Sequence, residues 1–190
     1  FGLSYFLMSL DRSIQSISYS RSISSSAGIG LSFLRTSVDK ITQTDLDNNV
    51  IGGLDYFETL AAMSFALRVN KLSVGSNLKI YQSKLHNYTA DGIGLDVGFN
   101  YKLNNHINLA ICSKNIGAAY KWDYDQDEDI PVITSFGASY QNTHSALNDL
   151  IITMQLDYKD SEYEKYKLGV EINPFRIVKF RFGLKENNSN

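Results

Sequence analysis

The chain has 190 residues, enough for one domain, and its formal charge of -2 with 18 dispersed basic residues leaves no cluster to hold nucleic acid. Aromatic residues make up 12%, proline occurs twice, and glycine, serine and asparagine recur throughout, a mix that favours strands and turns over helices. The single cysteine, Cys112, excludes an intrachain disulfide, and apolar runs such as Leu60 to Met63 fall far short of the ~20 residues of a membrane-crossing helix.

Phe1 is not an initiator Met and no charged-then-apolar leader follows it, so a signal peptide is expected to have been removed or to lie outside this sequence. Strands are predicted at 3–9, 14–23, 27–37, 57–69, 73–85, 92–103, 106–115, 131–141, 149–159, 165–173 and 177–185, about eleven in all. In the fourth, Ala61, Met63, Phe65, Leu67 and Val69 share a face. In the fifth, Val74, Leu78 and Ile80 oppose Gly75, Asn77, Lys79 and Tyr81. The clearest alternation runs from Gly92 to Leu103: Ile93, Leu95, Val97, Phe99 and Tyr101 lie on one side, Gly94, Asp96, Gly98, Asn100 and Lys102 on the other. Leu150 to Tyr158, Tyr166 to Ile172 and Val178 to Leu184 repeat the code. A helix would need apolar spacings of three and four, which these segments lack.

Many segments match the ~9 to 11 residues that cross a bilayer as a tilted strand. Short turns are expected at Ser24 to Ser26, Asn70 to Leu72, Asn104 to Asn105 and Pro174 to Arg176, and long loops at Val38 to Tyr56 and Ile116 to Ile130. Sorting of short turns from long loops is a property of outer-membrane barrels. Tyrosines near strand ends, Tyr101 and Tyr140 at the short turns and Tyr158 and Tyr166 at the long loops, suit interfacial girdles. The expected fold is therefore all-β, a single transmembrane antiparallel up-and-down β-barrel domain over 1–190 in a bacterial outer membrane. A soluble sandwich or lipocalin-like barrel alternates equally but buries its apolar face. Glycine, serine and asparagine on the polar face favour an enclosed lumen. The strand number is odd, whereas single-chain bacterial barrels close with an even one, so terminal strands are expected to be missing.

Charges punctuate the polar faces at Lys79, Asp96, Asp157, Lys167, Glu171, Lys179 and Arg181. Lys or Arg facing lipid at mid-membrane costs about 2 to 4 kcal/mol, so a barrel turns these residues inward as a mixed-sign ladder filling the lumen. The competing role is a ligand or ion pathway. Asp123, Asp125, Asp127, Glu128 and Asp129 open like a calcium-binding Asp-x-Asp-x-Asp run, but Glu128 replaces the turn glycine and Thr134 the closing glutamate. That makes a solvated acidic loop the competing reading of a divalent-ion site. His86, His106 and His144 show no zinc spacing, and no Gly-x-Ser-x-Gly run marks a serine hydrolase. Neither catalysis nor a cofactor is expected.

The segments Gly92 to Tyr101 (GIGLDVGFNY), Asn115-Ile-Gly117, Ile130-Pro131, Gly137-Ala-Ser-Tyr140, Gly169-Val-Glu171 and Phe180-Arg-Phe-Gly183 occur in an order that resembles the middle and later part of PorV/PorQ-type outer-membrane proteins, which are similar to FadL-type barrels. The Asn-Pro-Ala segment expected near that family's N-terminus and its closing strands are absent. The resemblance implies a barrel of about fourteen strands when complete. It also implies lipid on the outside and protein partners from a secretion or surface-attachment complex of the type IX kind, met by the loops around Asp39 to Tyr56 and Tyr120 to Ile130. A FadL-like transporter of hydrophobic small molecules and a passive plugged barrel are the alternatives.

Overall fold

A computed structural model describes residues 1–123, 127–142, 149–160, 162–175 and 178–187. Its elements are all strands: β1 (Gly2–Met8), β2 (Arg12–Ser22), β3 (Ala27–Thr44), β4 (Val50–Val69), β5 (Leu72–Leu85) and β6 (Tyr88–Lys102). They continue with β7 (Ile107–Trp122), the short β8 (Asp127–Asp129), β9 (Ile133–Asn142), β10 (Asp149–Lys159), β11 (Glu162–Phe175) and β12 (Val178–Asn187). The twelve form one sheet in up-and-down order, with β8 off the main path against β7. Among the described residues β1 pairs only with β2 and β12 only with β11. Twelve strands replace the eleven expected, because β8 lies in what the sequence presented as a loop.

Strand ends also differ from the expectation. The stretch Val38 to Tyr56 is mostly strand, with β3 and β4 joined by five residues, and β7 carries on through Ile116 to Trp122. The expected long loops are thus largely extra strand, and the sorting of short turns from long loops fails with them. The turns hold together by local chemistry. Ser24 Oγ accepts the N–H groups of Ser26 and Ala27, and Asn104 Oδ1 accepts those of His106 and Ile107. Asn70 and His86 take left-handed conformations, φ 55° and 56°, at the tight β4–β5 and β5–β6 turns.

The chain groups into two compact units, one of Phe1–Phe65, Ser76–Leu95 and Ile116–Ile130, the other of Ala66–Gly75, Asp96–Asn115 and Pro131–Asn190. In the first unit Gln15 faces Arg35, Ile17 faces Phe33 and Tyr19 faces Leu31 across β2 and β3. The apolar members of these pairs are exposed, as are Ile80 and Ile93. The buried side chains are Tyr81, Ser83, Ala90 and Ala118, together with Ser13, which meets Ser37 on the Gln15 side of β2. The second unit repeats this polarity on β10 and β6, where Ile152 and Met154 are 42% and 48% exposed and Asp96 and Asp157 keep only 5% and 3%, whereas β12 is exposed on both faces.

A water-soluble sheet does the reverse, because apolar area left in water forfeits roughly 25 cal/mol per Å². Among the described residues the buried apolar side chains are Tyr81, Ala90 and Ala118 alone. The enclosed face packs through small residues. A Cβ on Gly94 would stand 2.8 Å from the Ala118 Cβ and 3.1 Å from the Tyr81 ring, which itself meets Tyr120 edge-on at 5.8 Å. Glycine on this face is a packing requirement.

Gly94→Val is therefore expected to destabilise the fold by about 1–3 kcal/mol through overpacking, while Leu95→Val on the exposed side changes stability by less than about 0.5 kcal/mol. Urea titration in mild detergent compares the two; equal losses would show that the enclosed face is not tightly packed.

The β3–β4 turn carries a pH-sensitive group. Asp45 accepts the side-chain amide of Asn49 and the backbone N–H groups of Asn49 and Asp47. These bonds, the Asn49 side chain's first, favour the carboxylate and hold its pKa below the ordinary aspartate value. A depressed folded pKa contributes stability above the unfolded pKa and loses it as pH falls through the folded one. Asn49→Ala is expected to move the Asp45 titration upward, read from its carboxyl carbon shift by NMR.

Candidate functional site

Alternation along β10 and β11 puts Gln155, Asp157, Lys167, Gly169 and Glu171 on one face, but pairing alone does not say which charges meet. The register joins Gln155 to Lys167 and Asp157 to Lys165, with an irregularity between Asp157 and Tyr158. Lys167 reaches diagonally to Asp157 Oδ2 at 2.8 Å. Ser135 Oγ donates to Asp157 Oδ1 at 2.7 Å from β9, and Gln155 Nε2 donates to the same oxygen at 2.6 Å. A carboxylate withdrawn from water is tolerated only when its lone pairs are used this fully. Saturated by donors, Asp157 has the setting of a structural anion, not of a general base.

Glu171 lies opposite Arg181 in the β11–β12 register. Its Oε2 accepts from Arg181 Nε at 2.6 Å, and Lys179 Nζ stands 3.5 Å from Oε1. The two cations are 71% and 55% exposed at the side chain, so screening keeps this cluster weak. Tyr166 Oη donates to Glu186 five pairs along the same two strands, on the other face. The ladder thus gathers into two groups, Asp157 with Lys167 and Glu171 with Lys179 and Arg181.

The other two ladder members have their own surroundings. Lys79 lies 5.9 Å from the centre of the Tyr81 ring, within cation–π reach. Asp96 accepts the amide N–H of Asn115 at 3.0 Å, where β7 departs from regular strand with Asn115 at φ 62° and Gly117 at φ 63°. The Asn115 side chain donates to the Pro131 carbonyl at 3.2 Å. Asp96 therefore satisfies a backbone donor released by the irregularity.

The acidic segment does not form a chelating loop among the described residues. Asp123 accepts both the N–H and the hydroxyl of Thr89. Asp127 and Asp129 are extended in β8, opposite Lys121 and Ala119. Asp125 lies outside the described residues, as does His144. His106 Nδ1 is 2.9 Å from the Gln141 carbonyl, and His86 sits in the β5–β6 turn. No three described His, Cys, Asp or Glu residues converge as metal ligands.

Two grooves on the exposed face of the first unit escaped the sequence reading. One, of about 470 Å³, is apolar and includes Ile17, Tyr19, Leu31, Phe33, Met63 and Ile80. The other, of about 680 Å³, is polar and includes Gln15, Arg35, Asp39, Asp55, Lys84 and His86. The signal was present on β3, where the face bearing Leu31 and Phe33 continues as Arg35, Ser37 and Asp39. Arg35 lies over the Phe57 ring at 4.2 Å, a cation–π contact within the polar groove.

No protein-family model and no curated protein matches the chain.

Asp157→Ala is expected to cost about 1–3 kcal/mol, and a double-mutant cycle with Lys167→Met to return a coupling of about 0.5–3 kcal/mol. Asp96→Ala should cost about 1–3 kcal/mol by orphaning the Asn115 N–H. Denaturant titration measures all of these, and additivity of the first pair would remove the Asp157–Lys167 interaction as a stabilising unit.

Proposed function

We propose that this chain is part of a non-enzymatic transmembrane β-barrel of the bacterial outer membrane, with its exposed apolar residues against lipid. The inverted polarity carries this reading: large apolar side chains stand on the open face while small residues, Asp96 and Asp157 take the enclosed one. Lipid tails are the surroundings in which such a face has no solvation penalty, and in hydrocarbon only helices and closed barrels satisfy their backbone. No described helix is long and apolar enough to cross a membrane. Closure of the barrel needs partners for the free edges of β1 and β12, whether each other or further strands.

Within that class we assign the chain to the PorV type, on the resemblance of Gly92 to Tyr101 and the later glycine-bearing segments. Its role is then to receive secreted proteins or secretion components at the cell surface. The FadL-like alternative needs an apolar pocket on the enclosed side, and lipid recovered from the lumen would favour it.

Leu95→Arg and Phe99→Arg are each expected to lower folding stability in phospholipid vesicles by about 2–4 kcal/mol. Heat-dependent mobility on gels and protease protection report insertion. Failure of the unaltered chain to insert, with the chain soluble and monomeric in buffer, would overturn the membrane reading. Affinity purification from native membranes tests the finer assignment: recovery of secretion components supports it, and their absence from a stably inserted protein refutes it.

A further inference from the structure

The two grooves on the exposed side of the first unit are lined by the same four strands, β2 to β5. On β2 the step from Ile17 to Gln15, and on β3 the step from Phe33 to Arg35, moves two residues along a single face, and each step is matched by its cross-strand partner. Met63 on β4 lies in the apolar groove and Asp55, eight residues away and on the same parity, in the polar one. Ile80 and Lys84 do the same on β5. All four adjacent strands thus pass from apolar to polar residues between the two grooves, with a charge on β3, β4 and β5 and Gln15 on β2.

The polar groove is of mixed sign, with Arg35 and Lys84 as cations and Asp39 and Asp55 as anions. A purely anionic headgroup would satisfy the first two and be repelled by the second two. A headgroup carrying both a phosphodiester and a primary ammonium satisfies all four: guanidinium and lysine ammonium bind phosphate oxygens, and the carboxylates accept ammonium N–H bonds. The apolar groove, which adjoins the polar one along β2 and β3 and is walled by Tyr19, Leu31, Phe33 and Ile80, suits the acyl chains of the same molecule.

We propose that the β2–β5 face of this unit is a specific site for one phosphatidylethanolamine molecule, with its headgroup among Arg35, Asp39, Asp55 and Lys84 and its chains along Ile17, Phe33 and Ile80. This rests on the membrane reading given above, and it adds lipid selectivity that a merely apolar wall does not provide.

The test uses the full chain inserted into vesicles of equal parts phosphatidylethanolamine, phosphatidylglycerol and phosphatidylcholine, then extracted into mild detergent for native mass spectrometry. Retained phosphatidylethanolamine should exceed each of the other two lipids by roughly tenfold. Arg35→Gln with Lys84→Gln should abolish that excess, and Asp39→Asn with Asp55→Asn should bring phosphatidylglycerol up to parity. Strand content by circular dichroism and insertion yield confirm that each variant is folded. A chain that inserts but holds the three lipids equally, or prefers phosphatidylglycerol, overturns the site and leaves the membrane reading standing. Variants that insert and keep the full excess overturn it as well. A chain that does not insert overturns both.

Discussion

Which face of the sheet is enclosed governs everything else in this protein. Every strand offers two sets of side chains, and here the set with less volume and more polarity is the one shut in. Glycine and alanine then become necessary, since Gly94 has no room for a Cβ beside Ala118 and Tyr81. Carboxylates on that side must find donors within the fold, as Asp157 does from Ser135, Gln155 and Lys167 and Asp96 does from the Asn115 backbone. The large apolar residues left outside have no such obligations to one another. Their contribution to stability depends on what medium they meet.

The alternation could be read from the residues, and so could its direction. Between Gly92 and Leu103 the polar side holds Gly94, Asp96 and Gly98, residues that suit a cramped position better than a hydrated one, and Gly94 and Asp96 are indeed buried while Ile93 and Phe99 are exposed. Strand limits were much less legible. Around Asp39, Gln43 and Gly53 the apolar–polar contrast fades, so the pattern looks like loop; pairing between β3 and β4 holds the backbone extended without it. The three residues of β8 are all acidic and carry no strand signal, yet they pair with β7.

Candidate charges were legible as a set but not as contacts. Seven residues were recognisable as charges on the polar faces of their strands; which of them touch depends on register and bulges, and sequence shows neither. The irregularity after Asp157 is an example: direct pairing would match it with Lys165, and the side chain that arrives is Lys167. The positive φ of Asn115 is another, because it frees the N–H that Asp96 takes up. The grooves on the exposed side were missed for a different reason. A change from apolar to polar along one face looks like ordinary variation in a single strand, and it gains meaning only when the neighbouring strands β2, β3, β4 and β5 line the same two grooves.

Trp122 is the chain's sole tryptophan, and its indole N–H donates to Glu128 on β8 at 3.2 Å, with the Tyr120 ring 6.4 Å away. The molecule consequently has a built-in optical label at the junction of β7 and β8. Its emission colour and quenching report on that corner alone, uncontaminated by other indoles, so docking of β8 can be followed in real time without attaching a dye.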